Sequence, residues 1–300
     1  TRAGETVSTD TPNPVNTRTF IDRLFPASAA GRMGVSAINI GVGEAEYPVT
    51  TQGASVGWAA TETGGVGAAM AFQTTDRALK PDHTLGVQMK VTRKALKQSG
   101  AALEQAVRRD MNSAMAQEID RAVFLGSGSS GEPLGVIAGA STYGINEQAV
   151  DAAPTYKAFR EAVTRFMVAN AIAAPSEVRV MIRPEVWDDL EEQAAASAAP
   201  LYEWDRLVKA ITAGNITLST NALAAPSGSP AASKVLLTTT VGGVPPAFVG
   251  MWGAIDLIRD PYTDAASGGL RLTALATMDV TVARPAQSDV LTGVRRYSAT

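Results

Sequence analysis

The sequence predicts an α+β protein, and three observations lead to this fold class. Short runs of β-branched and other apolar residues, some of them alternating with polar ones, recur through most of the chain. One long segment, from residue 101 to about residue 125, instead has apolar residues at helical spacing. Two shorter helical patterns lie among the later strand-like runs. Helices and strands are therefore mixed within one chain.

The composition excludes several kinds of functional site. With 45% hydrophobic and 18% charged residues, the 300-residue chain can bury a sizeable core. Its net charge of −3 lacks the basic excess that drives tight nucleic-acid binding. It has no cysteine, which excludes disulfides and thiolate chemistry, and its one histidine, His83, excludes multi-histidine metal sites. No apolar run approaches the ~20 residues that a membrane span needs.

The first 36 residues predict an arm that lies on another surface. They are rich in Thr, Pro and Asn, and proline removes backbone donors and favours extended neighbours. The apolar residues Phe20, Leu24 and Phe25 are suited to dock this arm. Because the chain begins at Thr1 without a signal-peptide pattern, we expect a processed or trimmed product.

Residues 35–91 predict β-strands around a glycine-rich tip. The strand-like runs are residues 35–40, 46–49, 71–75 and 85–91. Gly64, Gly65 and Gly67 make the tip flexible, because glycine reaches positive φ without steric cost. An isolated hairpin is marginal in water, so such an excursion normally lies on another chain. Trp58 and Glu62 flank the tip, where a tryptophan favours an interface.

A long helix is predicted from Ala101 to about Leu125, with Ser99 as its N-cap. Its apolar residues are spaced by four: Leu103, Val107, Met111, Met115, Ile119 and Val123. Since a helix turns ~100° per residue, this stripe winds around the helix instead of marking one face. The pattern suits a structural element that contacts two partners better than an active-site helix.

Further elements follow this helix. The sequence predicts strands at 178–182, 216–218, 234–237, 247–250 and 270–282, and helices at 156–170 and from Pro184 onward. The last strand is followed by Arg284-Pro285.

None of the candidate chemistries in the sequence is well supported. Gly126 to Gly131 matches GxGxxG, but a helix precedes it where a dinucleotide site needs a strand, so Gly126 is better explained as a helix C-cap. His83 lies in a polar turn with no identifiable nucleophile, which indicates a solvated loop histidine. The pairs Asp188-Asp189 and Glu191-Glu192 are interpreted as the wet face of a helix. We therefore predict no catalytic, cofactor-binding or metal-binding residue.

The order of these parts resembles the major capsid proteins of tailed bacteriophages, which share the Hong Kong 97 fold. The most specific match runs from Glu118 to Gly128 and continues through residues 132–137. It is similar to the end of the family's spine helix and the turn after it. The residues that this match assigns to the turn are Gly126, Gly128, Gly131, Pro133 and Gly135. A second match covers residues 279–286, and the whole resemblance spans about 35 to 295.

The resemblance implies a division of the chain into parts. These are an N-terminal arm (1–36), an E-loop region (37–85), a P-domain with the spine helix (86–149), an A-domain (150–270), and the closing strand and C-terminus of the P-domain (271–300). It implies subunit contacts through the arm residues above and through the E-loop. The E-loop residues are Trp58, Glu62, Gly64, Gly65 and Phe72.

The resemblance also implies a function and a set of partners. Copies would assemble as pentamers and hexamers into an icosahedral shell that encloses double-stranded DNA without sequence specificity. The shell would form in the bacterial host cytoplasm and become part of the virion, with a cement or decoration protein and a portal as further partners. No cofactor, enzymatic activity or membrane is implied.

Covalent cross-linking, which some members of the family perform, is not expected here. It joins a lysine near the E-loop to an asparagine in the P-domain with the help of a glutamate. Lys80 lies at the base of the loop, but no asparagine follows Asn221. Alignment of the closing strand places the amide near Ser267 and the glutamate near Ala274, and neither can serve.

Two other interpretations stay open at this stage. An encapsulin, which is a bacterial protein compartment of the same fold, would hold enzyme cargo instead of DNA. An α+β enzyme or small-ligand binder would be a stable monomer with a formed pocket.

Overall fold

The computed structural model describes residues 28–52, 61–62, 73–194, 201–264, 266 and 268–297. The helices in chain order are α1 (Arg93–Leu125), α2 (Ala140–Tyr143), α3 (Tyr156–Val168), α4 (Pro184–Glu192) and α5 (Glu203–Ile211). The strands are β1 (Ser36–Ile40), β2 (Ala45–Gln52), β3 (Gln73–Leu79), β4 (His83–Val91), β5 (Asn146–Ala149), β6 (Val178–Ile182), β7 (Ile216–Leu218), β8 (Ala232–Thr239), β9 (Phe248–Asp260), β10 (Leu270–Thr281) and β11 (Ser288–Arg295).

The described chain groups into two compact units. The smaller contains residues 87–113 and residues from 257 to 274, and the larger contains the rest of the described chain. Four elements contribute residues to both units: β4, α1, β9 and β10.

The strands form three sheets. One has the order β1-β9-β10-β4, a second has the order β5-β11-β8-β6-β7, and β2 pairs with β3 alone. In the second sheet β8 is antiparallel to both β11 and β6, whereas β5 and β7 run parallel to their neighbours. The pairing thus places β9 beside β10 and β11 beside β8.

The inner strands of the five-stranded sheet are covered on both faces, whereas the edge strand β5 is polar and largely exposed. Successive residues of one strand enter different cores, because side chains alternate across a sheet. Val180 packs with Phe159 and Leu207 of the helices α3 and α5. The next residue, Met181, packs instead with Phe124 near the end of α1. This alternation explains why β6 is apolar except at Arg179, and the sequence predicts this strand with the same bounds.

The long strand β10 confirms the predicted 270–282 strand within one residue. Every second residue of it is buried, from Leu270 through Leu272 to Met278, and the intervening ones are partly exposed. A strict period of two is typical of a strand with one face on a core.

The long helix begins earlier than predicted, at Arg93. Thr92 Oγ1 accepts a hydrogen bond from the Ala95 main-chain nitrogen at 3.4 Å, so Thr92 is the N-cap of the helix. Ser99, the predicted N-cap, lies inside the helix. At 33 residues, α1 is about 50 Å long. Of the predicted stripe, Met111, Met115 and Val123 are buried, whereas three residues are only partly buried: Leu103, Val107 and Ile119.

A close main-chain contact follows the end of α1. The Gly135 nitrogen donates to the Gly126 carbonyl at 2.9 Å, and the Val136 nitrogen donates to the Val123 carbonyl at 2.9 Å. A Cβ built on Gly126 would meet the Pro133 carbonyl oxygen at 2.2 Å. Gly126 follows the last residue of α1 and donates to the Ala122 carbonyl at 3.0 Å, so it stands at the predicted C-cap position, but it does not adopt a left-handed conformation. Glycine is required here because two main-chain segments touch.

We predict that Gly135→Ala lowers the free energy of unfolding by about 1–3 kcal/mol, the usual range for overpacking. The added Cβ would lie 2.5 Å from the Phe124 carbonyl carbon and 2.6 Å from the Gly126 nitrogen. These are main-chain atoms that cannot move without breaking the hydrogen bonds between the segments. Urea unfolding followed by tryptophan fluorescence measures the change.

The matched control is Gly214→Ala. Its Cβ would meet no heavy atom within 4 Å, and its φ is not in the left-handed region. We expect this variant to unfold within about 0.5 kcal/mol of the parent. Equal losses in the two variants would contradict the role assigned to the contact.

Candidate assembly interface

Most residues predicted for the arm and the E-loop lie outside the described residues. These are Phe20, Leu24, Phe25, Trp58, Gly64, Gly65 and Phe72. Glu62 is described and exposed. The contacts assigned to these residues stay predictions.

The base of the hairpin formed by β2 and β3 is described and firmly anchored. Its ladder begins with Ala45 opposite Leu79. Leu79 is fully buried in a small core with Ile40 and Phe248. Trp252 Nε1 donates to the Gly43 carbonyl at 2.7 Å, just before the hairpin. No local sequence pattern indicates a role for Trp252, although a buried indole usually finds a partner for its single N–H donor.

Polar contacts hold the segment that leaves this hairpin. The main-chain nitrogen of Lys80 donates to Asp279 Oδ2 at 2.9 Å. Its side-chain Nζ lies 3.6 Å from Glu44 Oε2. His83 Nε2 lies 3.7 Å from the other oxygen of Asp279. His83 Nδ1 is buried and has no hydrogen-bond partner within the described part of the chain. The prediction of a solvated loop histidine is therefore wrong, because β10 places a carboxylate beside it.

Asp120 of α1 fixes the chain where the N-terminal segment reaches the described fold. Its carboxylate accepts hydrogen bonds from the Ala29 and Ala30 main-chain nitrogens at 3.0 and 2.9 Å, and from Ser28 Oγ at 2.9 Å. Asp120 is only 4% exposed. A buried carboxylate with several donors is held in one geometry, so Asp120 fixes the main chain at residues 28–30 against α1.

A second carboxylate organises the glycine-rich turn after α1. Glu132 accepts a hydrogen bond from the Ser127 main-chain nitrogen at 3.0 Å and one from Arg121 Nη2 at 2.8 Å. Arg121 also binds Glu118, three residues earlier on α1. The hydrogen bonds from Ser127, followed by Arg121, hold the pKa of Glu132 below its ordinary value.

The predicted turn residues meet at this point. The Gly128 nitrogen donates to the Pro133 carbonyl at 3.3 Å, which closes the turn. Gly131 lies at its exposed tip. Together with the close approach at Gly126 and Gly135, these contacts confirm that the glycine-rich segment is a tight reversal after the helix.

The acidic residues of α4 are not all exposed to solvent. Asp189 is 1% exposed, and Arg296 Nε lies 3.0 Å from its Oδ1. Asp188 also pairs with Arg296, at 3.0 Å. Trp187 is 38% exposed and packs edge-on against Trp204 at 6.5 Å between ring centroids. The prediction that both acidic pairs are solvated is therefore wrong for Asp189. Arg296, in the C-terminal segment, covers this carboxylate, and the sequence around α4 gives no sign of that contact.

The described residues contain no group of three or more acidic or histidine side chains that could hold a metal ion. Among the helices of the described chain, none is both long enough and apolar enough to cross a bilayer.

Comparison with known proteins gives the family. The sequence matches the family model described as "Phage capsid family" over residues 18–292. The chain belongs to the phage capsid family. It is accordingly a structural capsid protein of a virion, and the alternative of an α+β enzyme is not supported. No curated protein gives a significant sequence match to it.

Solved capsids share the fold of this capsid protein. The capsid of a native GTA particle superposes with a TM-score of 0.70 at 16% identity, covering 97% of this chain and 99% of that one. Mycobacterium phage Bobi gives a TM-score of 0.69 at 13% identity, covering 95% and 97%. A virus-like particle from Pyrococcus furiosus gives 0.54 at 13% identity, covering 88% and 92%. These likenesses confirm the predicted Hong Kong 97-type fold.

We predict that Asp120→Asn lowers the free energy of unfolding by about 1–3 kcal/mol. With the amide oxygen at the Oδ1 position, the new Nδ2 donor would stand where Oδ2 now accepts from the Ala29 nitrogen at 3.1 Å, and the remaining hydrogen bonds would lose the negative charge that strengthens them. Asp256→Asn makes the same chemical change at an exposed position of β9 and is the control, with little effect expected. Thermal or urea unfolding measures both, and a loss no larger than that of the control would remove Asp120 as an anchor.

We further predict that Glu132→Gln makes stability less dependent on pH. The folded-state pKa of Glu132 is lowered, so its ionised form stabilises the fold at neutral pH, and this contribution disappears as the pH falls through the folded-state value. Because the side chain is 39% exposed and screened by solvent, the deficit at pH 7 is expected to be about 0.5 kcal/mol.

Unfolding of parent and variant at neutral pH and in acid, below the folded-state pKa of Glu132, measures this difference. Glu147→Gln removes a carboxylate that lies 3.3 Å from Lys234 and serves as the control for loss of one surface charge. A deficit in Glu132→Gln that is the same at both pH values would contradict the assignment.

Proposed function

We propose that this protein is the major subunit of an icosahedral phage shell, in which copies assemble as pentamers and hexamers around double-stranded DNA. The observation that carries the proposal is the family match over residues 18–292. The fold likeness to capsid chains, which covers nearly all of this chain, supports it.

We propose four functional parts. The arm comprises residues 1–36, the E-loop region comprises 37–85, and the spine helix with β10 forms the core of the P-domain. The A-domain corresponds to the five-stranded sheet with its helices. Because β9 pairs with β10, and β11 pairs with β8, we place β9 in the P-domain and β11 in the A-domain. This assignment revises the predicted boundaries of 86–149, 150–270 and 271–300, because β5 also belongs to that sheet.

We propose that packaged DNA contacts the shell weakly and without sequence specificity. The chain carries 26 basic against 29 acidic residues. Little binding free energy is therefore available from the counterions that DNA releases when basic side chains neutralise its phosphates. Assembly in the host cytoplasm, proteolytic maturation, and binding of a portal and a cement protein belong to the same proposal and rest on the resemblance alone.

We propose that the shell holds together without covalent cross-links. Lys80 Nζ, the amine at the base of the E-loop, lies 3.6 Å from Glu44. Ala274, at the position where the family has its glutamate, is fully buried in β10 and carries no catalytic group. Subunit contacts of the arm and E-loop would then supply the strength of the shell.

Negative-stain microscopy and a denaturing gel of the same sample test the proposal. We expect closed shells that dissociate to a single band at 31.1 kDa. Shells that leave a ladder of multimers would contradict the non-covalent assignment but keep the capsid function. A homogeneous monomer at high concentration would overturn the shell itself, and enzyme cargo in place of DNA would identify an encapsulin-type compartment.

A further inference from the structure

Basic residues are concentrated in the smaller of the two units. Residues 87–113 and 257–274, which contain its described residues, carry eight Lys and Arg against four Asp and Glu, a net charge of +4. The rest of the chain carries 18 basic against 25 acidic residues, a net charge of −7. The whole-chain value of −3 therefore conceals a segregation of charge, and such an asymmetry indicates a surface for an anionic partner.

Two of these cations share one carboxylate. Lys90 near the end of β4 and Arg271 near the start of β10 both bind Asp264, with N–O distances of 2.6 and 3.1 Å. Hydrogen bonds from Lys90 and then from Arg271 hold the pKa of Asp264 below its ordinary value, so this group is ionised at neutral pH. The three side chains together keep a net charge of +1.

Three more cations stand at the start of α1, directly after β4. Arg93, Lys94 and Lys97 are all exposed, and their spacing places them within a sector of about 100° around the helix axis. The turn after Asp264 reaches them, because a Cβ built on Gly268 would lie 2.9 Å from Arg93 Cδ. We call the six charged residues the basic cluster: Lys90, Arg93, Lys94, Lys97, Asp264 and Arg271.

The next acid along α1 does not neutralise the basic cluster. Glu104 Oε1 lies 2.7 Å from Arg108 Nη2 and 3.5 Å from Arg259 Nε, so two other cations already share it. The first turn of α1 contains no acidic residue, and the partial positive charge at this end of a helix adds to that of the side chains. A concentration of positive charge on one surface attracts polyanions from solution.

We propose that the basic cluster is the surface through which this protein contacts the phosphates of double-stranded DNA, without reading its sequence. Duplex DNA carries one negative charge per about 1.7 Å of its axis, so several phosphates can meet the cluster at once. Three of the five cations are lysines, which are depleted at the centre of protein–protein interfaces, so an acidic protein surface fits less well. The inference rests on the proposed function, because it names the part of the subunit that would face the packaged genome.

The size of the basic cluster sets the strength of the contact. Five cations offset by one carboxylate can neutralise about four phosphates. The logarithm of the binding constant should then fall with the logarithm of the salt concentration, with a slope of about −3 to −4. A single contact of this size is weak at physiological salt, but a shell would repeat it in every subunit.

Fluorescence anisotropy of a labelled duplex of about 30 base pairs tests the proposal, at salt concentrations between about 50 and 200 mM. The titration uses dissociated full-length subunits, because a closed shell would exclude the duplex. We expect the slope given above, and equal affinity for two duplexes of different sequence. In the double variant Lys94→Gln/Lys97→Gln, the slope should become less steep by about 2 and the dissociation constant should rise about tenfold or more. Glutamine has nearly the helix propensity of lysine, so α1 should be unaffected.

The double variant Lys157→Gln/Lys209→Gln is the matched control. It makes the same change of charge at exposed positions of α3 and α5, in the larger unit. It should bind DNA with the affinity and slope of the parent. Equal losses in the two double variants would mean that binding follows total charge and would overturn the proposal, as would a parent that shows no salt-dependent binding.

Light scattering of the same proteins under assembly conditions separates this inference from the proposed shell. Normal assembly of both double variants, with DNA binding weakened only in the one that changes the cluster, would support the proposal. Impaired assembly of that variant with unchanged DNA binding would assign the cluster to an acidic surface of a second copy and overturn it. A parent that binds DNA through the cluster but forms no shells would contradict the proposed shell and leave the DNA-binding surface in place.

Discussion

The larger unit depends on how closely two main-chain segments approach at the end of α1. In the segment after the turn, the main-chain nitrogens of Gly135 and Val136 donate hydrogen bonds to the carbonyls of Gly126 and Val123, respectively. This approach is possible only because both Gly126 and Gly135 lack a side chain. A few residues earlier on the helix, Asp120 accepts hydrogen bonds from the main-chain nitrogens of Ala29 and Ala30. The last turns of α1 therefore hold both residues 28–30 and the glycine-rich turn in place.

The core strands could be predicted from sequence because their signal is local. β6 and β7 have the predicted bounds, since each is a short β-branched run next to polar or turn-forming residues. β11 was missed, because Asp289 and Gly293 interrupt its apolar pattern. Asp289 is tolerated in a buried strand only because Arg165, 124 residues away, pairs with it. Helix α5 was also missed, although its apolar residues have helical spacing that could have revealed it: Trp204, Leu207, Val208 and Ile211.

The site residues were harder to predict, because their surroundings come from distant segments. Glycines at the turn were found from a motif, yet the physical reason for Gly126 is steric contact with Pro133 and not a left-handed cap. His83 and Asp189 were both predicted to be solvated. Their partners, Asp279 and Arg296, lie far away along the chain, and nothing in the local sequence indicates either contact.

The carboxylates of this capsid protein respond to acid in opposite directions. Arg183 lowers the pKa of Glu185 and Ser127 lowers that of Glu132, so acid removes stabilisation from α4 and from the turn as the pH falls through their folded-state values. Burial raises the pKa of Asp189 and of Asp289, against the opposing effect of their arginines. A carboxyl group with a raised folded-state pKa binds a proton more tightly in the folded chain, so acidification through that value stabilises the fold at these two positions. As the pH falls, the turn and the start of α4 therefore lose stabilisation from Glu132 and Glu185, whereas the buried carboxyl groups of Asp189 in α4 and Asp289 in β11 become less unfavourable to the folded chain.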